Sequence, residues 1–381
     1  MFINDVFAKQ FCRWLVLVLS LINALPVYSA GTQMEAGLSA YEKRDYVTAL
    51  EKLTPLAVQG NAEAQFMLGS LNRQGEGVPQ DNEAAVKWFT LAAEQGLDVA
   101  QFVLGIIYLQ AEGVLKDHEA AVKWITLAAE QGLDVAQFKL GVMYFKGEGV
   151  SLDFTYKISV KWIKQAAEQG LAVAQYWLGM MYLGMYGLPH DTKEAYKWIK
   201  LAADQGYVDA QFSVGNMHMN KFEVEIAVPW FNLAAEQGHA VAQYRLGLLY
   251  ETGLGVAQSS VKAIEWLQKS AVQGFTKAQF SLAEIYAKGE EDAFQDFDAA
   301  VKWYTLAAEQ GHSRAQYLLG EVYENGQGVP QDNIQAYMWF SIAQQNGDRS
   351  DKLSFVAQKM TPGEIESAQK LAEEWQVEYE N

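Results

Sequence analysis

The feature that most constrains this chain is a tripeptide, Ala-Gln followed by an aromatic, that returns eight times. It starts at Ala64, Ala100, Ala136, Ala174, Ala210, Ala242, Ala278 and Ala315, at spacings of 36, 36, 38, 36, 32, 36 and 37 residues. Self-similarity at such a period marks stacked supersecondary units. Each is too small to hide its own apolar side, so neighbours must supply the missing half of the core.

Each unit reads as two helices. In the second, Ala100, Leu104, Ile107 and Tyr108 fall at i, i+4, i+7 and i+8, one face of a helix A. Gly105 sits within that helix and recurs as Gly69, Gly141, Gly179, Gly215, Gly247 and Gly320, with Ala283 in the remaining unit. A mid-helix glycine costs about 1 kcal/mol relative to alanine, so its recurrence predicts a facing helix too close for a Cβ. A turn such as Gly75-Glu-Gly-Val-Pro-Gln-Asp81 follows, with Asp81 placed to cap a helix B. In that helix Ala85, Trp88, Leu91 and Ala92 form the expected inner stripe, and Gly96 supplies the stop. One Trp per unit, from Trp88 and Trp124 to Trp303 and Trp339, predicts a packing ladder between hairpins.

The pattern Ala-Gln-x-x-Leu-Gly-x-x-Tyr, Gly-x-Gly-Val, Ala-x-x-Trp, Ala-Ala-x-Gln-Gly resembles the Sel1-like repeat family, relatives of the tetratricopeptide solenoids. The resemblance implies an all-α, right-handed superhelical α-solenoid of helix-turn-helix repeats. The expected organisation is a leader over residues 1–30, a capping helical hairpin over 31–60, eight repeats over 61–347 and C-terminal capping helices over 348–381. Thr361-Pro-Gly-Glu364 has capping-box spacing, and Ile365, Ala368, Leu371, Ala372 and Trp375 line one face of the helix it starts. Two turns are irregular. The one from Ser151 is longer than its counterparts, and the one from Glu290 to Phe297 lacks the second glycine. The unit from Ala210 is the shortest and has His218 where most units have Tyr.

Residues 1–30 have a different character. Lys9 and Arg13 precede an apolar run of 12 residues, Trp14–Leu25, which Pro26 ends before the small residues Ser29 and Ala30. A bilayer span needs roughly 20 residues, so the run reads as a cleavable secretory signal, leaving no integral membrane anchor. The lone cysteine, Cys12, lies inside this leader, so the mature chain would have neither a disulfide nor a thiol nucleophile. A net charge of −17 disfavours phosphate backbones and anionic lipid surfaces, which excludes sequence-independent nucleic-acid binding.

No motif points to catalysis, a metal or a cofactor. The five histidines, His118, His190, His218, His239 and His312, show no metal-ligand spacing. His239 and His312 read as register variants of a position held by Leu97 or Phe275 elsewhere. The Gly-x-Gly-Val turns lack the strand and the Lys-Ser/Thr of a phosphate loop. A peptide or protein partner is therefore expected, on the inner surface where units differ. Val103, Ile106, Leu109, Val142, Phe145, Trp177, Met180 and Leu183 make the second to fourth units apolar at positions that are mostly polar or small in the first, seventh and eighth. Burial between neighbouring A helices suits the same positions better, since the aromatic after Gln, such as Phe102, points nearly the same way in every unit. The family resemblance implies an exported bacterial adaptor, periplasmic or secreted, similar to a group that binds secretory immunoglobulin A. An envelope hydrolase or cell-wall-modifying enzyme on the same scaffold is the second reading.

Overall fold

The computed structural model describes residues 32–150, 155–185, 188–289, 294–347 and 351–379. The leader expected over 1–30, and most of the two irregular turns at 151–154 and 290–293, lie outside them. Among the described residues every regular element is a helix and there is no strand. The chain divides into two compact units, Met1–Ala195 and Tyr196–Asn381.

In the first unit an opening hairpin, α1 (Thr32–Glu42) and α2 (Tyr46–Val58), is followed by α3 (Ala62–Gln74) and α4 (Asn82–Glu94). Next come α5 (Asp98–Gln110), α6 (His118–Glu130), α7 (Asp134–Lys146), α8 (Thr155–Glu168) and α9 (Ala172–Met180), the last running into a π-helical turn, Met181–Met185. From α1 to α9 each helix packs on the next in sequence. The unit boundary falls within α10 (Thr192–Asp204). The second unit continues with α11 (Val208–Met219), α12 (Val224–Glu236), α13 (Ala240–Thr252), α14 (Ser260–Ala271), α15 (Thr276–Lys288), α16 (Phe297–Glu309), α17 (Ser313–Asn325) and α18 (Asn333–Gln345). It closes with α19 (Lys352–Ala357) and α20 (Pro362–Tyr379), both packed on α18.

Local chemistry sets these boundaries. Asp81, Asp117, Asp296 and Asp332 each accept the backbone N–H three residues on, satisfying a donor that the first turn of helix B leaves free. Gly96 and its counterparts end helix B at positive φ. At Thr361 the capping box is reciprocal: Thr361 N donates to Glu364 Oε2 at 2.7 Å, and Glu364 N donates to Thr361 Oγ1 at 3.4 Å.

The mid-helix glycines face a B helix at the distance their recurrence predicts. A Cβ on Gly105 would lie 2.5 Å from Ile125 Cγ1 and 3.1 Å from the Ala121 carbonyl oxygen, and Gly69, Gly215 and Gly320 meet Phe89, Phe231 and Phe340 equally closely. The large residue opposite each glycine is thus the one after Trp, which corrects the expected stripe of helix B. Ala85, Phe89, Ala92 and Ala93 are buried, whereas Leu91 is 44% exposed and Trp88 only half-buried. The facing helix selects the i, i+4, i+7, i+8 stripe that starts at Ala85, and Trp88 falls on its shoulder. Trp124, Trp162, Trp198, Trp230 and Trp266 are half-buried like Trp88, whereas Trp303 and Trp339 are buried. Lys123 and Lys161 lie over the rings of Trp124 and Trp162, 5.3 and 5.1 Å from their centres.

The glutamine of each Ala-Gln pair is buried and joins consecutive hairpins. Gln101 Nε2 donates to the Ala93 carbonyl, and Gln137 Nε2 to that of Ala129, at 3.1 and 3.2 Å, each reaching the C-terminal turn of the preceding helix B. Their own carbonyls accept from the glutamine ending the next helix B, Gln131 and Gln169, both at 2.8 Å. The same pairs recur at Gln65–Gln95, Gln243–Gln273 and Gln279–Gln310, and Asn346 replaces the donor for Gln316. This amide ladder satisfies buried polar groups that would each cost about 1–3 kcal/mol if left unpaired.

At the C-terminal end the buried Glu324 on α17 accepts from Lys359 at 2.8 Å and Lys352 at 3.1 Å, tying α19 to the last repeat. Burial pushes its carboxyl up, but the two ammonium groups outweigh that and hold it below the usual range. Trp375 on α20 meets Trp339 edge-on, ring centres 5.7 Å apart, so the last hairpin is covered by an apolar face.

Candidate functional site

The apolar positions singled out in the second to fourth units all lie in the first compact unit. Helices α5, α7 and α9 bring some of them together and bury others. Val103, Ile106 and Val142 are buried: Ile106 packs in one cluster with Val135, Ala136 and Leu140 of the next A helix. These three are core, because neighbouring A helices close over the flanks of α5 and α7. Leu109, Phe145, Trp177, Met180 and Leu183 are half-buried and keep an accessible side.

Trp177 belongs to a chain of edge-to-face rings that runs outward from the buried Phe138. Its centre lies 5.9 Å from that of Phe138 and 5.8 Å from that of Phe145, and Phe145 meets Tyr156 at 5.9 Å. Tyr156 is 53% exposed and was not legible as part of the face from the repeat columns. It lies on α8, a helix B, six residues before Trp162, whereas the variable apolar positions were all read from helix A. Lys139, half-buried on α7, has its ammonium pKa lowered by burial, with Lys146 adding to the effect and Glu148 opposing it. The face therefore sets aromatic rings beside a partly desolvated lysine.

The histidines have structural work to do. His239 Nδ1 accepts from Ala242 N at 3.0 Å and His312 Nδ1 from Ala315 N at 3.2 Å, so each imidazole caps an A helix of the second unit. Each ring also stacks on an aromatic, Phe212 at 4.5 Å and Phe280 at 4.3 Å between centres. A capping Nδ1 must be unprotonated, and burial lowers both pKa values, with Asp209 opposing at His239 and Glu284 opposing at His312. The unfolded chain then takes up protons at a pH where the folded one does not. Stability from these caps is complete above the unfolded value of about 6.5 and is lost as pH falls below it toward the depressed folded values. Thermal melts at pH 7.5 and 5.0 should differ more for the native chain than for His239→Asn/His312→Asn, since Asn caps without titrating. An equal pH dependence in the two would refute the capping role.

His218 in the shortest repeat lies between Tyr196 (hydroxyl to Nε2, 3.1 Å) and Glu223 (Nδ1 to Oε2, 2.7 Å). It braces the tight connection between α11 and α12, where Phe222 adopts φ 62°. Among the described residues no group of three or more His, Cys, Asp or Glu is placed to hold a metal, and no helix is long and apolar enough to cross a membrane.

A family model described as Sel1 repeat matches residues 62–97, 98–133, 134–171, 172–207, 224–239, 240–275, 276–312 and 313–348. The short match at 224–239 falls in the irregular repeat, whose helix A and turn depart from the pattern. Among solved structures, the chain is similar to c5321, described as a protective antigen present in uropathogenic Escherichia coli strains displaying an SLR fold. That likeness is 30% identity over 91% of this chain and 84% of that one, with TM-score 0.55. It is also similar to a Sel1 repeat protein from Oxalobacter formigenes, 29% identical over 90% of this chain and 98% of that one, with TM-score 0.59. No curated protein matches the sequence.

Proposed function

This chain belongs to the Sel1 repeat family, and from that premise we propose that it is an exported scaffold that holds a protein partner and catalyses nothing. The observation that carries the reading is the accessible aromatic face of α7, α8 and α9. Trp177 and Phe145, both half-buried, and the more exposed Tyr156 are linked edge to face across these three helices, which also carry the half-buried Met180. Among the described residues the groups with displaced pKa values do not converge on one pocket. Asp134 and Lys139 in the first unit, and His239, His312 and Glu324 in the second, are each explained by local packing and pairing, which favours a scaffold over an envelope hydrolase.

Export is supported by the leader composition of residues 1–30. It is supported also by the relative described as a protective antigen, since antibodies act only on what they can reach. The finer resemblance to immunoglobulin-A-binding proteins draws no support from either relative. An affinity capture from envelope extract with the chain lacking residues 1–30 tests the reading. The native surface should retain a discrete partner that Tyr156→Ser/Leu109→Ser loses by about tenfold or more. Equal capture by both forms would discard this face as the docking site.

A further inference from the structure

We propose that the outward ridge of α12, in the second unit, pairs with the same ridge of a second copy of this chain across a two-fold axis parallel to the helix. A chain paired in this way holds two copies of its partner, which goes beyond the scaffold reading.

On its exposed side α12 departs from the repeat at three positions. The residue ahead of the helix B cap is a glutamine in four turns, and its side chain donates to a carbonyl at the end of the preceding helix A. Gln80 reaches Arg73, Gln258 Glu251, Gln295 Ala287 and Gln331 Glu324, at 2.8–3.0 Å. Phe222 takes that place ahead of α12. It is 89% exposed and holds φ 62°, a left-handed conformation that glycine or asparagine adopts at less cost. Ile226, 50% exposed, stands where α4, α6 and α16 have Ala84, Ala120 and Ala299. Pro229, also exposed, replaces the lysine found as Lys87, Lys123, Lys161, Lys197 and Lys302, and it removes a helix N–H as well. No charge is left between Glu225 and Glu236. With Leu233, which is exposed too, Ile226 and Pro229 recur at intervals of three and four, the spacing of a two-stranded helical seam.

The charge on either side of the ridge selects the occupant. On the Trp230 side stand lysines laid over rings. Lys200 of α10 lies 5.0 Å from the Trp230 centre, Lys197 lies 5.3 Å from that of Trp198, and Lys221 lies 5.7 Å from that of Tyr196. Two acids beside them are already engaged, Asp204 by Lys200 at 2.6 Å and Glu223 by His218 at 2.7 Å. Glu225 and Glu236 are exposed and eleven residues apart, so they share one line of α12. At about 100° per residue that line runs on the far side of the ridge from Trp230. A ridge with one basic and one acidic edge complements itself. Under a two-fold axis parallel to α12 the helices run parallel, and each lysine edge meets the other copy's glutamate edge. Antiparallel pairing would set lysine against lysine. The net charge of −17 opposes association, so a weak, concentration-dependent dimer is expected.

Sedimentation velocity of the full chain at concentrations from about 1 to about 200 µM should show monomer passing into dimer. Ile226→Glu/Leu233→Ser should weaken the pairing about tenfold or more. Both positions are exposed, and unchanged circular dichroism checks that the fold is kept. Single cysteines read the axis. In a chain carrying Cys12→Ser, Ile226→Cys and Leu233→Cys should each form an intermolecular disulfide on mild oxidation, since residues that face their own counterparts come within disulfide reach. Val47→Cys, equally open to solvent in the first unit, should not. A monomer at every concentration, undiminished pairing in Ile226→Glu/Leu233→Ser, failure of either ridge cysteine to cross-link, or equal cross-linking at Val47→Cys would overturn the proposal. None of these outcomes bears on partner capture, which is read separately with Tyr156→Ser/Leu109→Ser.

Discussion

Gly141→Val is expected to cost about 3 kcal/mol, the upper end of the overpacking range, and to loosen α7 and α8 specifically. Even the first carbon of the new side chain would stand 2.6 Å from Ile163 Cγ1, and the obstacle is partly backbone, with the Ser159 carbonyl at 3.1 Å and Ile163 N at 3.2 Å. A rotamer change at Ile163 relieves the first contact and leaves the other two. Removing a mid-helix glycine gains at most about 1 kcal/mol of helix propensity, so the steric loss wins. Gly141→Ala should fall between, near 0–2 kcal/mol on the same magnitudes. The natural Ala283, fully buried on α15, shows that a hairpin of this kind can be built around one methyl group. Urea unfolding followed by circular dichroism measures the loss, and hydrogen exchange locates it. A valine variant as stable as the native chain would mean that the helices are not held at the distance that makes glycine necessary.

Gln137→Ala is expected to cost about 2–4 kcal/mol although it removes a residue with no part in any apolar stripe. The Ala129 carbonyl and the Gln169 amide both lose a buried partner, at 3.2 and 2.8 Å, and a cavity opens where the side chain was. Gln169→Ala should cost much less, about 1 kcal/mol, because Gln169 lies at the surface and water replaces its bonds. The double variant is then expected to be little worse than Gln137→Ala alone. Strict additivity of the two costs would show that the amides are not coupled.

Much of the fold was legible because the information is local. A helix start needs an Asp three residues before a free N–H, and a helix stop needs a glycine at positive φ; both are written within four residues of where they act. The close approach at Gly105 was legible only because the same costly residue recurs. The docking face was read less well. Val103, Ile106 and Val142 vary between units as an interface would, yet their burial is decided by the next A helix, about 36 residues away. Tyr156 joins that face from a helix B, whereas the variable apolar columns belong to helix A, and only the packing of α8 on α7 brings the two together.

By itself the sequence determined the period, the two helices in each period, their caps and the need to stack, since an amphipathic hairpin of this length cannot bury its own apolar side. Only the tertiary structure decided which side of helix B turns inward, so that Phe89 is core and Leu91 is not, and what the repeated glutamine is for. It also decided where apolar surface stays open, at Trp177 and at Phe222. The reason is the range of the forces involved: capping and backbone conformation act between near neighbours in sequence, whereas burial and amide pairing depend on which neighbour arrives from the adjoining hairpin.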